Sequence, residues 1–276
     1  MTEREKTFEQ LRQNKSILLL EKKSQLKMAD PMQTYFVKES EEKTVVVKTI
    51  KETVIPESGP FAVKVAINTT NIIDSHMDLH IPGLWKKSLK ESKGLYLLQE
   101  HQVKFDHIIS DDVKASAVTM SWKELGYKYE GNTQVLVFDA KIDPEDNELM
   151  TKKYKQDKVK NHSVGMRYVK LLLAMDSDSK YDEEEKAVWD KYYHEAVNKE
   201  VADNHGYFWV VTEAKVIEGS AVPIGSNRAT PTIEVTESKN EPSKDTQIDN
   251  IEPLKSTLTE KQISELVERI FKHVKN

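Results

Sequence analysis

Three polar residues stand where apolar stretches would hold them rigidly. Ser163 lies in Asn161-His162-Ser163-Val164-Gly165-Met166, at the expected junction of a helix and an apolar strand. A serine nucleophile needs a base to take its proton and backbone donors for the oxyanion. Gly165 would let the backbone approach a substrate closely. His101 follows Leu97-Leu98-Gln99-Glu100, and an apolar strand that delivers a histidine is a rigid mount for a base. Glu218 sits within Ala214-Lys215-Val216-Ile217-Glu218-Gly219-Ser220-Ala221-Val222. A carboxylate in an apolar strand is costly to bury without a partner, so Glu218 needs a hydrogen-bonded role, structural or catalytic. Taken singly, each has an ordinary explanation: a turn serine, a satisfied histidine, a structural carboxylate.

His76 and His80 are four residues apart, the spacing of a helical zinc pair. Met77-Asp78-Leu79 between them lacks the Glu that zincins place beside the first histidine as general base. Pro82-Gly83 follow at once and disfavour a helix. A polar loop is the better reading, although a metal hydrolase built on these two histidines is a competing one. Neither a metal nor a cofactor is expected.

The elements that must position these groups follow from pattern. The chain of 276 residues has 41 Lys and Arg against 46 Asp and Glu, a net charge of −5, which argues against a basic nucleic-acid coat. Charged residues reach 32 %, above the usual ~25 %, as expected of a folded domain with charged appendages. Cysteine is absent, which excludes a disulfide framework, thiolate metal ligands and a cysteine nucleophile, and fits a reducing compartment. The first residues offer no apolar core for a secretory signal, and runs such as Ile17 to Leu20 fall far short of the ~18 residues that span a membrane.

Residues 1–41 read as a charged, helical or partly ordered arm. A folded domain over 42–235 opens with β-branched Val45 to Ile50 and the alternating Phe61 to Ile67. Further strands are expected at Leu95 to Leu98, at Val135 to Phe138, following Asn161-His162-Ser163-Val164-Gly165 through Tyr168 to Leu173, at Tyr207 to Thr212 and at Ala214 to Val222. Helices are expected at Trp85 to Glu91, at Asp143 to Lys158 with Asp143 as cap, and at Asp182 to Lys199. Residues 236–258 have the composition of a flexible linker. Residues 259–276 form an amphipathic helix with Thr259 and Gln262 as a capping box. That helix is marginal alone and needs a partner. Short strands with few helices between them, and no βαβ rhythm, predict an α+β fold with a mainly antiparallel barrel or sheet.

The ordered set of motifs resembles the prohead proteases of tailed bacteriophages, the HK97-type family of capsid-maturation serine proteases. Four stretches carry the likeness. Asp74-Ser75-His76-Met77-Asp78, with Pro82-Gly83 and Leu89, is similar to the family's D-x-x-x-D … P-G … S-L segment. Leu97 to His101 matches the strand that ends in the catalytic histidine. His162 to Met166 matches S-[IV]-G-[FM] around the serine. Val216 to Pro223, with Ser226-Asn227-Arg228-Ala229, is similar to the family's L-x-E-x-S-x-V … x-N-x-x-A. The likeness spans about 61 to 232. It departs at His76-Met77, where the family commonly has Gly before the second Asp, and in the long helical stretch from Asp176 to His205.

The resemblance implies a small β-barrel wrapped by helices, as in the herpesvirus assemblins, and a serine endopeptidase with Ser163 as nucleophile, His101 as base and Glu218 as third member. Asp139 and His162 are rivals for that third place. Val164 and Gly165 amides, with Arg167 nearby, are the expected oxyanion donors. Implied substrates are scaffold and major capsid protein segments inside the prohead in the host cytoplasm, with self-processing and self-association, and no direct nucleic-acid or membrane partner. The alternative from another class is a non-enzymatic capsid-assembly scaffold protein of the same fold.

Overall fold

A computed structural model describes residues 2–27 and 59–237; the strand expected at 45–50, nearly all of the 236–258 linker and the 259–276 helix lie outside these. In chain order the elements begin with α1 (Glu3–Ser24), β1 (Phe61–Thr69), β2 (Asp78–His80), α2 (Lys86–Glu91), β3 (Leu97–Gln99) and β4 (Ile108–Ser110). They continue with β5 (Asp112–Ser121), β6 (Asn132–Ile142), α3 (Glu148–Lys155), β7 (Asn161–Met175), α4 (Glu183–Tyr192), α5 (Lys199–His205), β8 (Tyr207–Val222) and β9 (Thr232–Glu237). The class is α+β, as the pattern predicts.

Two sheets form the body. In the first, antiparallel throughout, the order is β5-β6-β1-β9. In the second, β8 is central. β7 lies antiparallel along one edge, while β2 and β3 lie end to end along the other, parallel to β8; β4 pairs outside β3. The alternation in β1 is realised: Phe61, Val63, Val65 and Ile67 are all buried. Ile67 and Phe138 press on β8 at Gly219, where any Cβ would crowd both side chains. One face of the β7–β8 pair, with Val164 and Gly219, therefore faces the core. The other face, with Ser163 and Glu218, lies beneath the connection between β3 and β4.

Where elements depart from expectation, local side chains account for it. Asp143 does not cap a helix; its carboxylate takes the Glu145 N–H at 3.0 Å in a turn. Asn147 caps instead, accepting from Met150 N–H at 3.0 Å. The helix expected at 182–199 breaks into a 3₁₀ turn at Tyr193–Glu195, and α5 then ends at left-handed Gly206. The two strands expected between Tyr207 and Val222 are one strand of 16 residues. Its charged interruption, Glu213, accepts from Lys170 Nζ at 2.8 Å rather than ending the strand. Thr236 and Glu237 belong to β9, so the folded part runs past the boundary expected at 235.

Over its described residues the arm is a docked helix. Thr2 and Glu5 form its capping box. Phe8 and Leu11 are buried, each contributing about 1.5–3 kcal/mol of transfer free energy. Arg12 clasps Asp182 through two 2.7 Å bonds. Near the helix end Lys22 reaches buried Asp78. Burial alone would raise the Asp78 pKa, but the charges of Lys22 and Lys27 outweigh it and hold it below the usual carboxylate value.

Candidate active site

The β7–β8 register sets the geometry. Ser163 lies directly across from Ser220, and Gly165 from Glu218. Opposed residues of an antiparallel pair project to the same face, so Ser163, Ser220 and Glu218 share one surface. β3 approaches from the far edge of β8, with Gln99 paired to Ala221. Past it, Glu100 and His101 both adopt left-handed backbone, at φ 53° and 58°. Two consecutive non-glycine residues in that region cost roughly 1–3 kcal/mol each. Glu100 N–H is tied to Ala221 O at 2.9 Å and His101 N–H to Ser220 Oγ at 3.1 Å. The turn sends the imidazole back over the sheet.

There His101 Nδ1 meets Glu218 Oε1 at 2.7 Å, with both side chains buried. With Glu218 ionised, Nδ1 carries the proton and Nε2 is left as the basic nitrogen. The second carboxylate oxygen accepts from Ser220 Oγ–H at 2.7 Å. Ser220, wholly buried, thus holds the carboxylate with its proton and the strained His101 backbone with its lone pair. Ser163 is 5 % exposed and lies two register pairs along from Glu218, on the same face. Contacts between a nucleophile and its base commonly close only with substrate in place.

Gly165 has a different use from the one its sequence context suggests. A Cβ at this position would overlap the Glu218 carboxylate. The glycine makes room for the acid that holds His101. Gly165→Ala is therefore expected to displace Glu218 and reduce any His101-dependent turnover by roughly 10²–10⁴, the range for loss of such an acid. The Gly165→Ala, Glu218→Gln double variant should be no slower than either single one. A double variant far slower than both would show that Gly165 acts elsewhere.

The rivals for the third place lie apart from His101. Asp139 is on β6, its side chain 47 % exposed and 3.4 Å from Lys64 Nζ. His162 points to the opposite face, wholly buried, with Nδ1 3.1 Å from Thr230 O and Nε2 3.0 Å from Tyr154 Oη. Burial pushes its pKa down to about 4, although the Thr230 carbonyl opposes this. Arg167, two residues beyond Gly165, is exposed.

His162 carries a pH consequence. Unfolded, it titrates near 6.5; folded, near about 4. The unfolded state binds more protons between these values, so stability is complete above about 6.5 and falls as pH drops towards 4. The loss amounts to about 3 kcal/mol. Denaturation midpoints of the wild type and of His162→Gln, between pH 7 and 4.5, check this: the variant should show a shallower decline. Parallel declines would contradict it.

Asp74, His76 and Asp78 place ligand-type atoms within 4.8 Å of one another. Asp78 is already engaged by Lys22, Lys27 and the Tyr168 hydroxyl, so the cations here are lysines of the arm. His80 belongs to strand β2 and bonds Asn68 and Tyr168.

Backbone groups of His162 and Met166 point away from β8. His162 N–H donates to Thr230 O at 3.1 Å, and Met166 exchanges two bonds with Lys27. Val164, midway between them, presents its N–H along the same edge. A narrow cleft there is lined by Ser163, Val164, Met166, Lys27 and Asn227. Ser220 and Lys27 escaped the sequence reading. Glu218 and Ser220 stand two apart in a strand, a period that puts both on one face. Lys27 gave no signal.

No family model matches the chain, and no curated protein or solved structure matches it either.

Proposed function

We propose that this chain is a serine endopeptidase that processes capsid and scaffold segments during phage prohead maturation. The observation that carries the reading is the buried His101–Glu218 pair on the face that bears Ser163. A structural carboxylate would not need a histidine held in left-handed backbone, nor a glycine cleared beneath it. The ordered motifs of the prohead proteases supply the substrate class, and the small barrel of that family is the arrangement proposed for the two sheets.

In this mechanism Ser163 Oγ attacks the scissile carbonyl carbon while its proton passes to His101 Nε2. The carbonyl oxygen becomes an oxyanion and takes the Val164 N–H. Glu218, held by Ser220, stabilises the imidazolium. The imidazolium then donates its proton to the leaving amine as the C–N bond breaks, giving an acyl-enzyme. Water then attacks the ester carbon as the same His101 nitrogen takes its proton; that proton passes to Ser163 Oγ as the acyl C–O bond breaks, releasing the new carboxyl end and freeing Ser163.

A fluorophosphonate probe tests the chemistry without a known substrate. The adduct should map to Ser163 and fall to background in His101→Ala. A folded chain that acquires no adduct at Ser163 would refute the reading.

A further inference from the structure

The arm pairs with the one strand that carries Ser163. Lys27 N–H donates to Met166 O at 2.8 Å, and Met166 N–H donates to Lys27 O at 3.2 Å, a closed antiparallel bridge on the edge of β7 away from β8. Three residues away along that edge is the nucleophile position proposed above. An extended peptide adds to a sheet edge through this same pattern of main-chain bonds. The Lys27 side chain also lies in the cleft beside Ser163 and Val164, its Nζ 3.6 Å from Asp78 Oδ2 and 5.6 Å from the centre of the Tyr168 ring. With Lys27 seated, the cleft keeps room for about one water.

We infer that the β7 edge from Val164 to Met166 is the binding strand for an extended peptide substrate, that Asp78 and Tyr168 form its subsite for a basic side chain, and that Lys27 of the arm occupies this subsite in the resting chain. The inference rests on the peptidase reading and deepens it. Asp78 is wholly buried between Lys22 of α1 and Lys27, so departure of Lys27 leaves the subsite short of one of its two cations. A Lys or Arg side chain on the incoming peptide restores the pair; a neutral one does not. The register also places the cut. Met166 N–H bonds the carbonyl of the residue at the Lys27 position, and an antiparallel ladder repeats every two residues. The carbonyl facing Val164 N–H therefore belongs to the residue two places after the basic one. Substrates carry Lys or Arg two positions before the residue whose carbonyl is attacked, and the arm competes with them.

Binding tests this apart from catalysis. The probe is a fluorescein-labelled, C-terminally amidated peptide with the sequence of residues 22–27, and a twin with norleucine at the Lys27 position. The proteins are full-length Ser163→Ala and the same chain with Lys27→Pro, which lacks the N–H that bonds Met166. Lys27→Met, which keeps the backbone pair and loses only the ammonium group, serves if the proline variant does not fold. Loss of the tethered competitor's bonds should tighten peptide binding roughly tenfold with Lys27→Pro and about threefold with Lys27→Met. The norleucine twin should bind roughly tenfold more weakly than the lysine peptide. Equal affinity of the unaltered and Lys27-substituted chains would overturn the arm's place on the edge, and equal affinity of the two peptides would overturn the basic subsite. Peptide binding as expected, in a chain whose Ser163 takes no fluorophosphonate, would leave the strand site standing while the peptidase reading falls. Labelling of Ser163 without these binding differences would do the reverse.

Discussion

Ser163→Ala is expected to abolish cleavage of capsid precursor, and His101→Ala to do the same, each by roughly 10⁶ in kcat. The two losses should not add, because the hydroxyl is a nucleophile only while a base takes its proton. The double variant should match either single one. Both changes should leave the fold nearly intact. Ser163 is a small side chain, and alanine preserves the close packing of β7 on β8. His101→Ala removes the ring but keeps the backbone bond to Ser220 Oγ. Circular dichroism and the thermal midpoint check the fold; precursor cleavage checks the chemistry. A Ser163→Ala chain that processes precursor at the wild-type rate would remove serine from the mechanism.

Glu218→Gln is expected to lower kcat by roughly 10²–10⁴ with little change in KM. The amide is nearly isosteric, so the site should stay assembled. What changes is the proton. Glu218 Oε1 accepts from His101 Nδ1 at 2.7 Å and fixes the tautomer with basic Nε2. A glutamine can turn its NH₂ towards Nδ1 instead and favour the opposite tautomer. It also carries no charge to stabilise the imidazolium. Ser220 Oγ–H would still find the amide oxygen, which limits structural damage. Asp139→Asn should leave kcat unchanged, since that side chain is paired with Lys64 on the other sheet. A larger loss from Asp139→Asn than from Glu218→Gln would reverse the assignment.

The strands of the site were legible from apolar stretches such as Tyr207 to Thr212 and Ala214 to Val222, although the charge at Glu213 made one strand look like two. His101, Ser163 and Glu218 each had an ordinary explanation taken singly; the resemblance grouped them, and the fold brings His101 Nδ1 to 2.7 Å from Glu218 Oε1. Left to be found were features that depend on distant chain meeting distant chain. Gly165 reads as an opening for substrate until the β7–β8 register puts Glu218 across from it. Lys27 is one charge among many in a charged arm; only the fold carries it to Met166 and Asp78. The arm read as charged and helical or partly ordered, and its thin apolar stripe gave no sign of where it docks. Two buried side chains, Phe8 and Leu11, and a set of cross-chain ion pairs suffice to dock it. Helix ends were misplaced where Asp143 and Asn147 both had capping chemistry and the turn claimed the first of them.

The most direct test incubates the full-length chain with its cognate capsid precursor and identifies new protein ends by mass spectrometry, with Ser163→Ala alongside. A defined set of new ends in the wild-type reaction, absent from the Ser163→Ala reaction, is the predicted result. The same ends in both reactions, or none in either while both chains are folded, would contradict the proposal that this protein is a serine endopeptidase of the prohead.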